Sequence, residues 1–185
     1  QADLTQKSVL DANFVQNLLA KGDIAQGTKY KLDGDFQESP VIFPWRDVTG
    51  HVVGADKQGT QIDFDKFEKR GTHKQIIAGS DTRTGFNIKF GKGNETLALF
   101  ESPIDLLSYA QQNHEALLKA NATLLSVSGT DAKRGRVYLE DAITQANSHF
   151  NKIIVGFDND LAGFKAADYF NRFSLKNPNT NQPIT

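Results

Sequence analysis

Two rhythms of apolar residues divide the chain. Over residues 4–21, Leu10, Phe14 and Leu18 recur four apart with Val15 and Leu19 beside them, and Gly22 follows, which predicts a helix with a glycine stop. Short apolar runs come next. "VIFPWRDVTGHVVGA" (41–55) holds two of them around Thr49-Gly50 and reads as a hairpin, and "KQIIAG" and "GFNIKFG" offer two more short strands between glycine turns. From Glu95 the pattern alternates continuous apolar runs with amphipathic ones. "TLALFE", "TLLSVSG" and "KIIVGFD" are predicted as strands. "PIDLLSYAQQNHEALLKA", "VYLEDAITQANSHF" and "AGFKAADYFNRF" are predicted as helices, the second with Leu139, Ile143, Ala146 and Phe150 on one stripe. Buried strands alternating with helices imply an α/β architecture, a mostly parallel sheet flanked by helices. The expected division is a smaller N-terminal α+β subdomain over 1–94, the sheet domain over 95–175, and a polar tail or linker over 176–185.

Composition narrows the chemistry. With 185 residues, 38% hydrophobic and 23% charged, the sequence has the make-up of a globular protein. It has no cysteine, which removes disulfides, thiol nucleophiles and cysteine-based metal sites, so a metal must sit on oxygen or histidine. No run of about 18 apolar residues and no secretory leader pattern occurs, so a cytoplasmic setting without membrane is expected. The chain starts at Gln1 and lacks methionine, and it reads as a piece of a longer protein. A net charge of −1 argues against a general basic coat, though not against a local basic patch.

Candidate chemistry gathers at the ends of the predicted strands, where parallel sheets bind ligands. Glu101 closes the first apolar run, ahead of Ser102-Pro103 and Asp105; Ser102 and Asp105 also suit a helix start. Asp158 closes the third run and Asp160 follows. Two close carboxylates repel unless a cation lies between them. A divalent metal, an aspartyl nucleophile and a solvated Asp/Asn turn all remain open for this pair, whereas an EF-hand is excluded by Tyr169 at the twelfth position. The middle run ends in Ser128-Gly129-Thr130, a turn suited to phosphate, before Lys133, Arg134 and Arg136. His51, His73, His114 and His149 lack metal-ligand spacing. Trp45 and the phenylalanines are expected in the core, and residues 1–40 are expected outside any metal site.

A strand ending in Glu, one ending in Ser-Gly-Thr and one ending in Asp-x-Asp together resemble the TOPRIM domain, the metal-binding fold of topoisomerases, bacterial primases and several nucleases. "FESPID" (100–105) resembles its glutamate motif and "GFDNDLAGFKAA" (156–167) the primase form of its Asp-x-Asp motif. "VIFPWRDVTGHVVGA" is similar to the Phe-Pro-x-Arg-Asp hairpin of bacterial primase cores, and "GSDTRTGFNIKFG" falls where those carry a segment leading into the TOPRIM strand, so the likeness covers about residues 41–173. The resemblance implies a Rossmann-like TOPRIM sheet and a magnesium or manganese ion on Glu101, Asp158 and Asp160, with Asp105 as a further catalytic acid. It implies phosphate or nucleic-acid contacts from Arg46, Arg83, Lys133, Arg134, Gly129 and Thr130. The implied activity is that of a primase-like nucleotidyltransferase acting on single-stranded DNA or RNA with nucleotides, beside other replication or transfer proteins, as in primase-like proteins of conjugative plasmids and mobile elements. A TOPRIM nuclease and a catalytically silent nucleic-acid-binding module are the alternatives. The cysteine-based zinc module of replicative primases has no counterpart in this chain.

Overall fold

The computed structural model describes residues 10–28, 30–31, 37–68, 71–146, 148–172, 176–177, 181 and 183–184. Asp33 and Asp35 fall outside them, as do residues 4–9 of the predicted first helix. Helix α1 (Ala12–Lys21) starts where the Asp11 side chain accepts the Asn13 and Phe14 N–H groups, and it ends at Gly22 in the left-handed conformation. It lies against an antiparallel sheet of order β1-β4-β5-β6, formed by Ala25–Gln26, Val41–Arg46, Val52–Gln58 and Lys74–Ile76. The β4/β5 hairpin turns at Thr49-Gly50 as predicted. The short strands β2 (Tyr30–Lys31) and β3 (Gln37–Glu38) pair separately, and a single helical turn, α2 (Phe64–Phe67), precedes β6.

The second sheet has order β10-β8-β9-β7. Strands β8 (Thr96–Phe100), β9 (Ala122–Ser126) and β10 (Lys152–Gly156) are parallel, and β7 (Asn87–Lys89) adds an antiparallel edge beside β9. Every residue of β8 and β9 is buried, as a sheet covered on both faces requires. The two-residue period splits them cleanly. Ala98, Phe100 and Leu124 join a core with Val15, Leu18, Phe43, Trp45 and Phe86, so one face of this sheet is sealed together with the antiparallel sheet and α1. Leu97, Leu99 and Leu125 join Tyr138, Leu139, Ile143, Phe150 and Phe170 on the other face.

Two helix boundaries differ from the sequence expectation. The helix expected over 103–120 is two, α3 (Pro103–Gln112) and α4 (His114–Lys119), broken at Asn113, whose backbone leaves the helical region (φ −119°, ψ 19°) while its side chain donates to the Tyr109 carbonyl at 2.9 Å beside its own N–H. Helix α5 runs Ala132–Gln145 rather than 137–150. Asp131 supplies its cap, and Phe150 reaches the core from outside the helix. The described part of the tail packs inward: Asn177 is buried and donates to the Ser148 and Phe150 carbonyls. Helix α6 (Leu161–Asn171) closes the fold. Phe64 and Phe164 correct the expectation of an all-core set, each being 62% exposed; α6 turns Gly163, Ala166 and Phe170 inward and leaves Phe164 outside.

Candidate active site

The three parallel strands deliver their loops to one edge of the sheet. After β8 the chain passes Glu101 and enters α3 through Ser102, whose Oγ accepts the Asp105 N–H and donates to the Asp105 carboxylate at 2.5 Å. After β10 the Asp158 N–H donates to Glu101 Oε1 at 2.9 Å, which binds the two acidic loops to each other. Asp160 Oδ1 accepts the Gly163 N–H at 2.8 Å and caps α6. Glycine is required at 163, since a Cβ there would meet the Asp158 carbonyl oxygen at 2.0 Å. After β9 the turn is left-handed at Ser128 (φ 55°) and continues through Gly129 (φ 121°), whose N–H donates to the Glu101 carbonyl at 2.7 Å.

Between these loops and the antiparallel sheet lies a cleft of about 730 Å³. Glu101, Asp105, Asp158, Ser128 and Gly129 form one wall; Asp56, Lys57 and Lys74 stand on the other. Asp56 joins the walls: its carboxylate accepts Trp45 Nε1–H at 2.8 Å and Ser128 Oγ–H at 3.1 and 3.2 Å. Burial raises its pKa above the usual carboxylate value, against the lowering pull of those two donors, Arg134 and Lys74.

The predicted site residues are thus partly assembled. Glu101, Asp105, Asp158 and Gly129 share the cleft, while Asp160 stands beside it as a helix cap. The predicted phosphate contacts are mostly engaged elsewhere. Arg46 donates to the Gly50 and Gly22 carbonyls and fastens the hairpin to the end of α1. Arg83 grips Asp141 with two donors. Arg134 is 8% exposed and lies over the Trp45 ring at 5.0 Å. Lys133 and Thr130 are exposed and do not line the cleft. Sequence reasoning passed over Asp56, Lys57 and Lys74; the available signal was a charged pair, Asp56-Lys57, within an apolar strand, and Lys74 on the strand beside it.

Among the described residues no three His, Asp or Glu side chains stand close enough to form a complete metal cage. Magnesium does not demand one: it keeps several waters and is usually held by one or two carboxylates plus substrate phosphates. Glu101 and Asp158, all-oxygen donors joined through one hydrogen bond and open to a cleft, fit that requirement.

One wall of the cleft belongs to a recognisable segment of the chain. Residues 98–179 match the Toprim-like family model. The matched segment contains Glu101, Asp158 and Asp160. Over the longer chain the fold is similar to that of two bacterial primases. The zinc-binding and RNA polymerase domains of the Aquifex aeolicus primase align over 91% of this chain and 45% of theirs, with 12% identity and a TM-score of 0.52. The RNA polymerase domain of the Mycobacterium tuberculosis primase DnaG aligns over 95% of this chain and 64% of its own, with 14% identity and a TM-score of 0.50. The chain therefore spans less than two thirds of either. No curated protein matches it.

Proposed function

We propose that this chain is the core of a primase-like nucleotidyltransferase, carrying out metal-dependent phosphoryl transfer on single-stranded nucleic acid in the cytoplasm. The observation that carries the reading is the convergence of Glu101, Asp158 and the Ser128-Gly129 turn on one cleft faced by Lys57 and Lys74. The Toprim-like match and the likeness of fold to primase polymerase domains support it. Residues 1–94 form the α+β subdomain that supplies the cationic wall, 95–175 the Toprim domain, and 176–185 a tail. Work in plasmid replication or transfer, beside other proteins of those processes, completes the proposal.

Glu101 and Asp158 would hold Mg²⁺ or Mn²⁺, Asp160 would add its charge while capping α6, and Asp105 stands within the same cleft. When bound, such an ion would supply positive charge against the phosphate oxygens of an in-line displacement. The chain's own groups do the positioning. Lys57 and Lys74 attract phosphates to the opposite wall, and the Ser128-Gly129 turn holds the Glu101 backbone in place. Lys133, exposed on the first turn of α5, extends the cationic surface for the polynucleotide.

The test is to incubate the chain with a single-stranded DNA template, the four ribonucleoside triphosphates and Mg²⁺ or Mn²⁺. New oligoribonucleotides are expected from wild type and not from Glu101→Gln or Asp158→Asn. Shortened template without new strands would replace this reading with phosphodiester hydrolysis.

A further inference from the structure

We propose that Asp56, which comes from the antiparallel sheet, is a positioning residue for the cation site: by holding Ser128 it fixes the turn that holds Glu101. The inference rests on the reading of Glu101 and Asp158 as cation ligands. Its basis is a continuous relay. Trp45 Nε1–H and Ser128 Oγ–H both end on the Asp56 carboxylate. Ser128 is left-handed although it is not glycine, a conformation that persists only where its surroundings impose it, and its hydroxyl is tied to Asp56. The adjoining Gly129 N–H donates to the Glu101 carbonyl at 2.7 Å, and Glu101 Oε1 accepts the Asp158 N–H at 2.9 Å. An unbroken path of hydrogen bonds and chain thus runs from one carboxylate on the first sheet to the acidic loop of the last strand.

The surroundings explain why an acid occupies position 56. Arg134 is nine-tenths buried over Trp45, and its Nε and Nη1 have no hydrogen-bond partner among the described residues; the Asp131 carboxylate stands off at 3.8 Å. A buried guanidinium so placed needs negative charge nearby, and the Asp56 carboxylate, held at the Nε1 edge of the same indole, attracts it. Asp56 thus has a charge partner behind it and a hydroxyl before it, which is the arrangement of a fixed post rather than of a mobile ligand. It also makes the geometry of the acidic loops depend on the seating of the antiparallel sheet.

The experiment titrates Mn²⁺ into wild type, Asp56→Asn, Ser128→Ala and the double variant, following free Mn²⁺ by electron paramagnetic resonance, with Tm recorded for each. Each single variant is expected to bind about tenfold more weakly, and the double variant no more weakly than either, because both break one relay. Trp45 is the only tryptophan. Its emission is expected to shift on Mn²⁺ binding in wild type and to lose that response in Ser128→Ala, since coupling between two sites is reciprocal. A purely structural role would lower Tm and leave affinity and emission response intact, which would overturn the proposal. Additive losses of about a hundredfold in the double variant would overturn it too, as would complete loss in Asp56→Asn, the behaviour of a direct ligand. Should near-ultraviolet circular dichroism show Ser128→Ala unfolded, Ser128→Gly, which suits the left-handed turn, carries the same expectations. No Mn²⁺ binding by folded wild type would overturn the cation reading itself, and this inference with it.

Discussion

Asp160 is asked to do two things, and substitution separates them. Its Oδ1 caps α6 through the Gly163 N–H, while its charge stands two residues beyond Asp158. Asn caps a helix about as well as Asp, and Ala does not. Asp160→Ala therefore costs about 1 kcal/mol, which for a chain of this size lowers Tm by about 2–4 °C, whereas Asp160→Asn leaves Tm within about 1 °C. The cation contribution is lost in both. Two unit charges in contact attract by about 1 kcal/mol in bulk water, so an exposed carboxylate against a divalent ion contributes about 2 kcal/mol, or about thirtyfold in affinity. Asp160 is exposed, so the aqueous value is the appropriate one. Differential scanning calorimetry without metal and Mn²⁺ titration of the three proteins check both terms. The expected pattern is Asn stable but weak-binding and Ala deficient in both. Wild-type affinity in Asp160→Asn would refute the shared role and leave a cap alone; a Tm loss of several degrees in the same variant would refute the cap.

Gly163→Ala places a methyl 2.0 Å from the Asp158 carbonyl oxygen; the loop must move, at a cost of about 1–3 kcal/mol, seen as a lowered Tm together with weakened Mn²⁺ binding. Lys57→Ala with Lys74→Ala should flatten the log–log salt dependence of single-stranded DNA affinity by about 1.4 units, at about 0.7 for each phosphate no longer neutralised. Arg83→Ala, which removes a partner of Asp141 away from the cleft, should lower Tm and leave that slope unchanged. Asp56 should impose a pH dependence on stability. Its folded-state pKa is raised from the ordinary 3.8 by burial, so the folded protein holds that proton more tightly than the unfolded chain. The resulting stability is full below the unfolded pKa and is lost as pH rises through the raised folded one. Denaturant melts should show wild type losing ground to Asp56→Asn over that window, and a pH-independent difference would refute the shift.

Much of the Toprim-like half was legible because its signals are local. A continuous apolar run such as "TLALF" has one stable use, a strand buried on both faces, and the acid that ends it marks the edge where loops collect. Caps were the weaker signal. Asp131 caps α5 eight residues ahead of Leu139, where the visible apolar stripe starts, and Asn113 interrupts a pattern whose periodicity continues across it. The cationic wall could not be read by the same means. Arg46, Arg83 and Arg134 lie in or beside the motif loops, yet each is consumed by a carbonyl, a carboxylate or an indole that only tertiary structure brings to it. Lys57 and Lys74 reach the cleft because β5 and β6 pair with Lys57 opposite Gln75 and Gln58 opposite Lys74, a register no single strand encodes. Asp56 was missed for the same reason: its partner Ser128 is 72 residues away.

Calorimetric titration of Mn²⁺ into wild type and into Glu101→Gln/Asp158→Asn tests the central claim most directly. Cation binding is expected in wild type and is expected to be abolished in the double variant, with the two proteins melting at similar temperatures. Equal binding in both would contradict the assignment of the acidic strand ends as the cation site.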